Sequence, residues 1–205
     1  MSVARQAATG VAWNFVAGLS GRALTLAGTL FLTRFVAPAE FGEVAAAVVA
    51  VGMATQFANF NLGSYVMTHP TDAATAFQAF VYHVAGIATA CLTVTLFRHP
   101  IADALGSPGM AQYVPWLALG TVLLHASRIP EATLYRALSF RALAVARSIG
   151  EVVYTVVSVG LAPFLRGGAI VAGNLARAAT FTGMIVARSD RSEWLRRAAL
   201  RGSTA

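Results

Sequence analysis

Three arginines lie within or beside apolar stretches of the chain, where a charged side chain needs a specific partner. Arg22, Arg128 and Arg177 interrupt or border runs that are long enough to cross a bilayer. An arginine at bilayer depth costs about 2.5–3.5 kcal/mol on insertion scales, so such residues face a bundle interior or a wet cavity. Because guanidinium groups bind phosphate bidentately, this pattern predicts a cavity for an anionic, phosphate-bearing ligand.

Nearby acids distinguish these arginines from one another. Glu131 follows Arg128 by three residues, and Glu151 follows Arg147 by one helical turn, so we predict Arg147 and Glu151 as a structural ion pair within one helix. Arg22 and Arg177 have only neutral polar neighbours in the sequence. The alternative for each arginine is that it snorkels to an interface or bonds to carbonyls of a neighbouring helix. The predicted substrate-binding set is Arg22, Arg177, Arg128, Asn14 and Asn174.

No enzyme motif accompanies the arginines. HExxH, GxSxG and P-loop patterns are absent from the sequence, and the acids fall mostly at the ends of apolar runs. His83 and His125 lie inside such runs, where we expect interior hydrogen bonding rather than metal ligation. Cys91 is the only cysteine, which excludes an intrachain disulfide. We predict no catalytic residue, no metal and no cofactor.

The composition indicates a membrane protein. Of the 205 residues, 57% are hydrophobic and 11% are charged, and the mean hydropathy is +0.66. Soluble domains carry about 25% charged residues. All 15 basic residues are arginines, which give a net charge of +7. They fall between apolar runs rather than on one polar face, so nucleic acid is not an expected partner.

The elements that must position the arginines are apolar helices. A spanning helix needs about 20 apolar residues, and the apolar runs predict an all-α, polytopic membrane bundle of about six transmembrane helices. The predicted spans are residues 9–36, 44–68, 73–97, 110–134, 140–163 and 168–188. They form one lobe, residues 1–188. Residues 189–205 follow as a basic amphipathic tail on the inner leaflet or, alternatively, as a solvated end.

Small residues and arginines add predictions about packing and topology. Small residues recur at helical spacing on the sixth span, which predicts close helix packing there. They are Gly168, Ala172, Ala176, Ala179 and Gly183. By the positive-inside rule, nine arginines favour the cytoplasmic side, five of them in or beside the tail, while Arg34, Arg98 and Arg166 lie outside. Both termini are therefore expected in the cytoplasm.

Three short segments near the ends of the predicted helices carry recognisable motifs. Leu32–Gly42 reads LTRFVAPAEFG, Asn61–Gly63 reads NLG and Arg136–Arg141 reads RALSFR. Together they resemble signatures of the Wzx-type oligosaccharide flippases, in the multidrug/oligosaccharidyl-lipid/polysaccharide superfamily. The first is similar to that family's L-x-R-x-L-x-P-x-x-F-G, with Val36 replacing the leucine before the proline. The second is similar to the family's turn near the end of the second helix, and the third to its R-x-L-x-F-R link between the fourth and fifth helices.

The resemblance implies a transporter rather than an enzyme. Such flippases move undecaprenyl-diphosphate-linked glycans across the bacterial inner (cytoplasmic) membrane in polysaccharide, O-antigen and lipopolysaccharide biosynthesis, through a cationic cavity between two lobes. Arg22 lies where related lipid II flippases have a first-helix arginine that is thought to contact the diphosphate. The predicted first span has no acid, which counts against cation export.

The resemblance covers the first of the family's two lobes. Three explanations stay open: a fragment or truncated gene product, a second polypeptide that supplies the other lobe, or a homodimer. The leading function is that of a half-length flippase. The alternatives are a non-transporting membrane subunit or remnant, and a membrane glycosyl- or acyltransferase. The expected partners are the lipid-linked glycan, the bilayer, and a second copy or second-half polypeptide.

Overall fold

The computed structural model describes residues 15, 18–19, 21, 23–59, 61–68 and 73–190, and every regular element in these ranges is a helix. The first described α-helix is α1, Ala23–Leu32. The following elements are α2 (Pro38–Ala58), α3 (Leu62–Thr68), α4 (Ala73–Leu96), α5 (Arg98–Ala104), a 3₁₀ turn (Pro108–Gln112), α6 (Val114–Ala126), α7 (Arg128–Arg136), α8 (Phe140–Leu165) and α9 (Gly167–Arg188). The predicted tail from residue 191 onwards lies outside the described residues.

Four helices in the described ranges are long and apolar enough to cross a membrane: α2, α4, α8 and α9. Large apolar side chains on their outer faces are open to the surroundings, with Phe57 85% and Phe164 80% exposed. Soluble proteins rarely expose apolar surface of this extent, whereas a surface that contacts lipid is expected to be apolar. The predicted all-α membrane bundle is confirmed, while the count of about six spans stays a prediction.

The second predicted span, residues 44–68, is divided in the structure at two asparagines. Helix α2 begins with Pro38 in its first turn, which suits a residue without an N–H, and it ends at Ala58. Asn61 has a positive φ of 52°. Its N–H donates to Asn59 Oδ1, and its own Oδ1 accepts from Ser64 Oγ at the start of α3. Asparagine tolerates this conformation and competes for backbone groups, so the helix stops and restarts here.

The fourth predicted span, residues 110–134, is also divided. Helix α6 ends at Ala126 and α7 begins at Arg128, with Ser127 between them. The cause is Pro130, whose ring has no N–H and would clash with the carbonyl oxygen of Ala126 in a continuous helix. The Ser127 hydroxyl donates to the Leu124 carbonyl at 2.7 Å and satisfies that group at the break. The break turns the start of α7 toward the bundle interior.

Two glutamates of α2 close one end of the bundle. Glu40 accepts a hydrogen bond from the Gly167 N–H at 3.3 Å and lies 3.8 Å from an Arg166 nitrogen, at the joint of α8 and α9. Glu43 lies so close to Gly109 that any side chain there would collide with its carboxylate. This end therefore gathers the α1–α2, 3₁₀ and α8–α9 connections.

Helices α8 and α9 form the most extensive pair of the bundle. A Cβ at Gly173 of α9 would collide with Ser158 Oγ and lie 2.9 Å from the Tyr154 carbonyl oxygen of α8, so only glycine permits this approach. The small residues predicted as the packing face are not on it, because they are half-buried or exposed while Ala169, Gly173 and Ala178 are buried. The close contact puts the polar residues of α8 beside those of α9.

Candidate functional site: a cavity lined by arginines

A cavity of about 870 Å³ opens between α1, the α6–α7 break, α8 and α9. Its wall combines apolar, small and charged side chains, as binding pockets for organic ligands commonly do. The lining residues are Gly18, Gly21, Thr25, Leu26, Leu124, Ser127, Arg128, Glu131, Arg147, Gly150, Glu151, Tyr154, Asn174, Arg177 and Phe181. Three arginines face two glutamates, so the described wall carries one excess positive charge.

Arg177 forms the centre of the first charged group in this wall. Its Nη1 lies 3.2 Å from Glu151 Oε1, and its Nη2 donates to Asn174 Oδ1 at 3.0 Å. The guanidinium carbon lies 5.6 Å from the centre of the Tyr154 ring, a cation–π distance. About a third of the Arg177 side chain remains exposed to the cavity. The group is thus held in place from three sides and still accessible to a ligand.

Asn174 and Thr25 fix the positions of the side chains in this first charged group. The Asn174 side-chain nitrogen donates to the Ile170 carbonyl at 3.0 Å, which directs its oxygen toward Arg177. Thr25 of α1 donates to the second oxygen of Glu151 at 3.4 Å, while it also bonds to the Gly21 carbonyl. A Cβ at Gly21 would lie 3.4 Å from Glu151 Cγ, so this part of the chain packs directly against the Glu151 side chain. The charged pair of α8 and α9 is therefore also tied to α1.

Glu131 of α7 is the centre of the second charged group. Its carboxylate lies 2.7 Å from Arg147 Nη2 and 3.8 Å from Arg128 Nη1. Only 7% of the Glu131 side chain is exposed, whereas both arginines are about half exposed. Arg147 also donates to the Tyr135 hydroxyl at 2.6 Å. One buried carboxylate thus holds two arginines at the edge of the cavity, and their free donors remain available.

The structure changes the predicted ion pairs. The Arg147–Glu151 pair within α8 is not formed: Arg147 contacts Glu131 of α7, and Glu151 contacts Arg177 of α9. Arg177, which has no acid near it in the sequence, contacts Glu151 of α8 in the fold. Both partners come from other helices, because a membrane bundle satisfies charged side chains across helix interfaces.

Three of the five predicted substrate-binding residues meet in this cavity: Arg128, Arg177 and Asn174. Arg22 and Asn14 lie outside the described residues, and their roles stay predictions. Arg147 was predicted only as part of a structural ion pair, and Thr25 was not predicted as a neighbour of the site. Glu131, which follows Arg128 by three residues in the sequence, does lie 3.8 Å from it. No local spacing marks Thr25, since its partner Glu151 lies 126 residues further along the chain.

A second, smaller cavity of about 250 Å³ lies on the other side of the Glu131 group. Its wall includes the asparagines of the α2–α3 break and His83 of α4. The lining residues are Asn59, Asn61, Ser64, His83, Arg128, Glu131, Ala132, Tyr135 and Arg147. Arg128, Glu131 and Arg147 belong to both walls and separate the two spaces. In the described ranges, no three His, Cys, Asp or Glu side chains lie close enough together to hold a metal ion.

The helix bundle and its arginine-lined cavity define a class: a multi-pass membrane protein with a polar, cationic interior. Residues 31–200 match the family described as polysaccharide biosynthesis protein, and the chain belongs to that family. No curated protein and no solved structure matches the chain at a significant level. The resemblance predicted from the sequence is confirmed at the family level. It gives the chain a role in polysaccharide synthesis or transport.

Proposed function

We propose that this chain transports lipid-linked oligosaccharide, an undecaprenyl-diphosphate glycan, across the bacterial inner membrane during polysaccharide biosynthesis. The observation that carries the proposal is the meeting of Arg128, Arg147 and Arg177 in one cavity between the helices of a polysaccharide biosynthesis protein. A diphosphate is the anionic group that such a lipid carrier presents. Arginine is the side chain best suited to bind it, because its planar fork of donors matches phosphate oxygens.

The charge arrangement supports a ligand that binds and leaves. Each arginine of the described wall already has a carboxylate partner, at 2.7 to 3.8 Å, so none of these three charges is isolated. A diphosphate would take over donors that Glu131 and Glu151 now share, and the excess positive charge of the wall favours its entry. If each guanidinium exchanges a carboxylate for a phosphate oxygen, it has an anionic partner both before and after the diphosphate binds. This suits a transporter, which must release its ligand, better than a permanent binding site.

The size and lining of the cavity support a diphosphate with its nearest sugar rather than a long glycan. Pockets for organic ligands span about 300–1,000 Å³, and this one measures about 870 Å³. Tyr154 and Phe181 provide flat apolar faces in the same wall, against which a sugar ring can pack. The rest of a glycan would extend through the open side. A second lobe, from a second copy or another polypeptide, would complete the transport path there.

The test is export in cells that make only the variant protein. We expect Arg177→Gln to reduce surface polysaccharide on the order of tenfold or more, because a charge-assisted hydrogen bond is worth about 1.5–3 kcal/mol. Arg177→Lys, which keeps the charge without the planar fork, should recover part of the activity. Arg34→Gln is the matched control, since Arg34 is exposed and lies outside the cavity wall.

Membrane abundance separates transport from folding. If Arg177→Gln lowers export while abundance and the melting temperature stay near wild type, the proposal is supported. Wild-type export by a stable Arg177→Gln protein would contradict it. Direct binding of inorganic pyrophosphate to the purified full chain gives an independent measurement, and Arg177→Gln should weaken it similarly. Arg22, outside the described residues, joins the proposal on sequence grounds alone.

A further inference from the structure

Two histidines that are 42 residues apart in the sequence meet between α4 and α6. His83 Nε2 lies 3.2 Å from His125 Nδ1, and the ring centres are 5.3 Å apart. At this distance the two nitrogens share one proton, with one imidazole as donor and the other as acceptor. The contact fixes which nitrogen of each ring faces the other, and it leaves His83 Nδ1 and His125 Nε2 as the outer nitrogens.

The outer nitrogen of His83 has no hydrogen-bond partner among the described residues. His83 is only 2% exposed, and its Nδ1 is buried without a hydrogen-bond partner in the described part of the chain. A buried polar atom without a partner costs free energy, so it is retained where a function or a bound water or ion compensates for the cost. A proton bound to Nδ1 would make His83 an imidazolium that still donates through Nε2 to His125. A second added proton would put an N–H on both facing nitrogens, His83 Nε2 and His125 Nδ1, and these would repel each other. The pair therefore binds one added proton.

The second cavity connects this pair with the arginine cavity. His83 lines its wall together with Arg128, Glu131 and Arg147, the three charged residues that also line the large cavity. Tyr135 of α7 is the other titratable group in the wall. The remaining polar residues are neutral and lie at the α2–α3 break: Asn59, Asn61 and Ser64. Arg128 is within electrostatic reach of both imidazoles. A proton on the pair therefore experiences the charge of an arginine that belongs to the anion site.

We propose that His83 and His125 form a binding site for one proton and, on the basis of the proposed function, that this proton and an anion in the arginine cavity bind cooperatively. Arg128 repels the proton while its own charge is only partly compensated. A diphosphate on Arg128 offsets that charge and removes the repulsion. By reciprocity of binding free energies, the bound proton then strengthens anion binding by the same factor. The two coupled ligands are a proton and a diphosphate, and the charge of Arg128 couples their binding.

The first measurement is made on the full chain without a ligand. Nitrogen-15 spectra of histidine side chains are recorded between about pH 3.5 and pH 8, a range that includes the ordinary imidazole transition and extends below it. We expect the signals of His83 and His125 to move together as one proton is bound. His99 is the internal control, because it is exposed on α5 and lies away from the pair. If neither member of the pair changes across this range, the proton site is refuted.

The second measurement is the affinity for inorganic pyrophosphate across the same pH range. Pyrophosphate has its own titration, so the quantity of interest is the difference between wild type and variants. We expect the ratio of affinity at low pH to affinity at high pH to be at least about fivefold greater in wild type than in His83→Gln or His125→Gln, the lower bound of typical coupling. His99→Gln should keep the wild-type ratio.

The outcomes separate the two proposals. Equal ratios in wild type and in both histidine variants would refute the coupling. A wild-type protein that binds no pyrophosphate at any pH would refute the diphosphate function, while the spectra of the unliganded protein would still decide the proton site. If one histidine variant fails to fold, the other gives the comparison, and the wild-type spectra need neither. Paired movement of both signals with a larger wild-type ratio supports the inference.

Discussion

Arg177 of α9 and Glu151 of α8 form an ion pair across the helix interface, with Nη1 and Oε1 3.2 Å apart and a separation of 26 positions in sequence. The pair occupies the wall of the large cavity and is about one third exposed to it. Glu151 therefore holds the position on the guanidinium that a phosphate oxygen would take. The carboxylate keeps the arginine compensated when the cavity is empty, and it competes with an incoming anion.

This competition predicts that Glu151→Gln raises the affinity for inorganic pyrophosphate. The amide keeps the shape and a carbonyl oxygen for Arg177 but removes one negative charge from the wall. We expect an increase on the order of tenfold, the size of one charge-assisted contact in a partly exposed site. Asp103→Asn, on an exposed position of α5 outside the wall, should leave the affinity unchanged. Weaker binding by Glu151→Gln would instead show that the carboxylate orients Arg177 for the ligand.

The charge pattern of the sequence predicted the members of the site better than their partners. Arg128, Arg177 and Asn174 stood out because each is polar within or beside an apolar run, and all three line one cavity. Their acids could not be assigned in the same way. Spacing along one helix pairs Arg147 with Glu151, but the fold offers Glu131 from α7 at 2.7 Å. Helix packing decides which helices are neighbours, and the spacing of residues along one helix does not reveal it.

The helix breaks show a similar division. Composition predicted the apolar helices, because about 20 apolar residues suffice for a span. The interruptions at Asn59–Asn61 and at Ser127 depend on side chains that satisfy the backbone locally, such as Ser127 Oγ on the Leu124 carbonyl. Pro130 signalled the second break, which lies three residues before it. The meeting of His83 and His125 had no signal at all, since each lies on a different helix.

A second prediction concerns the buried carboxylate of Glu131. Arg147→Gln removes its contact at 2.7 Å and leaves only Arg128 at 3.8 Å, so the free energy of unfolding should fall by about 1–3 kcal/mol. Glu131→Gln should cost less, because the arginines it releases are about half exposed. The double variant should therefore be more stable than the sum of the single changes implies, with a coupling of about 1–2 kcal/mol.

Reversible unfolding in detergent measures these free energies. Tyr135→Phe is the control, because it removes the other acceptor of Arg147 at 2.6 Å and leaves the ion pair intact. It should lower the free energy of unfolding by no more than about 1 kcal/mol. Strict additivity of the two charge variants would mean that the pair contributes nothing and that Arg147 acts through Tyr135 or the ligand.

A third prediction concerns orientation. The end of the bundle that contains Glu40, Arg166 and the 3₁₀ turn carries the connections that the arginine distribution places outside. In a Cys91→Ala background, Ser107→Cys should react with a membrane-impermeant thiol reagent in intact cells. Ser139→Cys, at the α7–α8 joint, should react only after the cells are opened. The reverse pattern would invert the proposed topology, with the termini outside.

The fourth prediction tests whether the close α8–α9 contact sets the anion site. Gly173→Ala would push a methyl group into Ser158 Oγ and against the Tyr154 carbonyl, so we expect a loss of about 1–3 kcal/mol in the free energy of unfolding. Arg177 lies one turn further along α9, so separating the helices should also lengthen its contact with Glu151 and weaken pyrophosphate binding.

Gly183→Ala is the matched control on the same helix, because a Cβ there meets nothing within 4 Å. It should be neutral or stabilise the protein by about 0.5–1 kcal/mol through helix propensity and reduced freedom of the unfolded chain. Adding Ser158→Ala to Gly173→Ala should recover only part of the stability, because the Tyr154 carbonyl oxygen still lies 2.9 Å from the new methyl group. If Gly173→Ala were as stable as Gly183→Ala and bound pyrophosphate normally, the helix spacing would not control the geometry of Arg177.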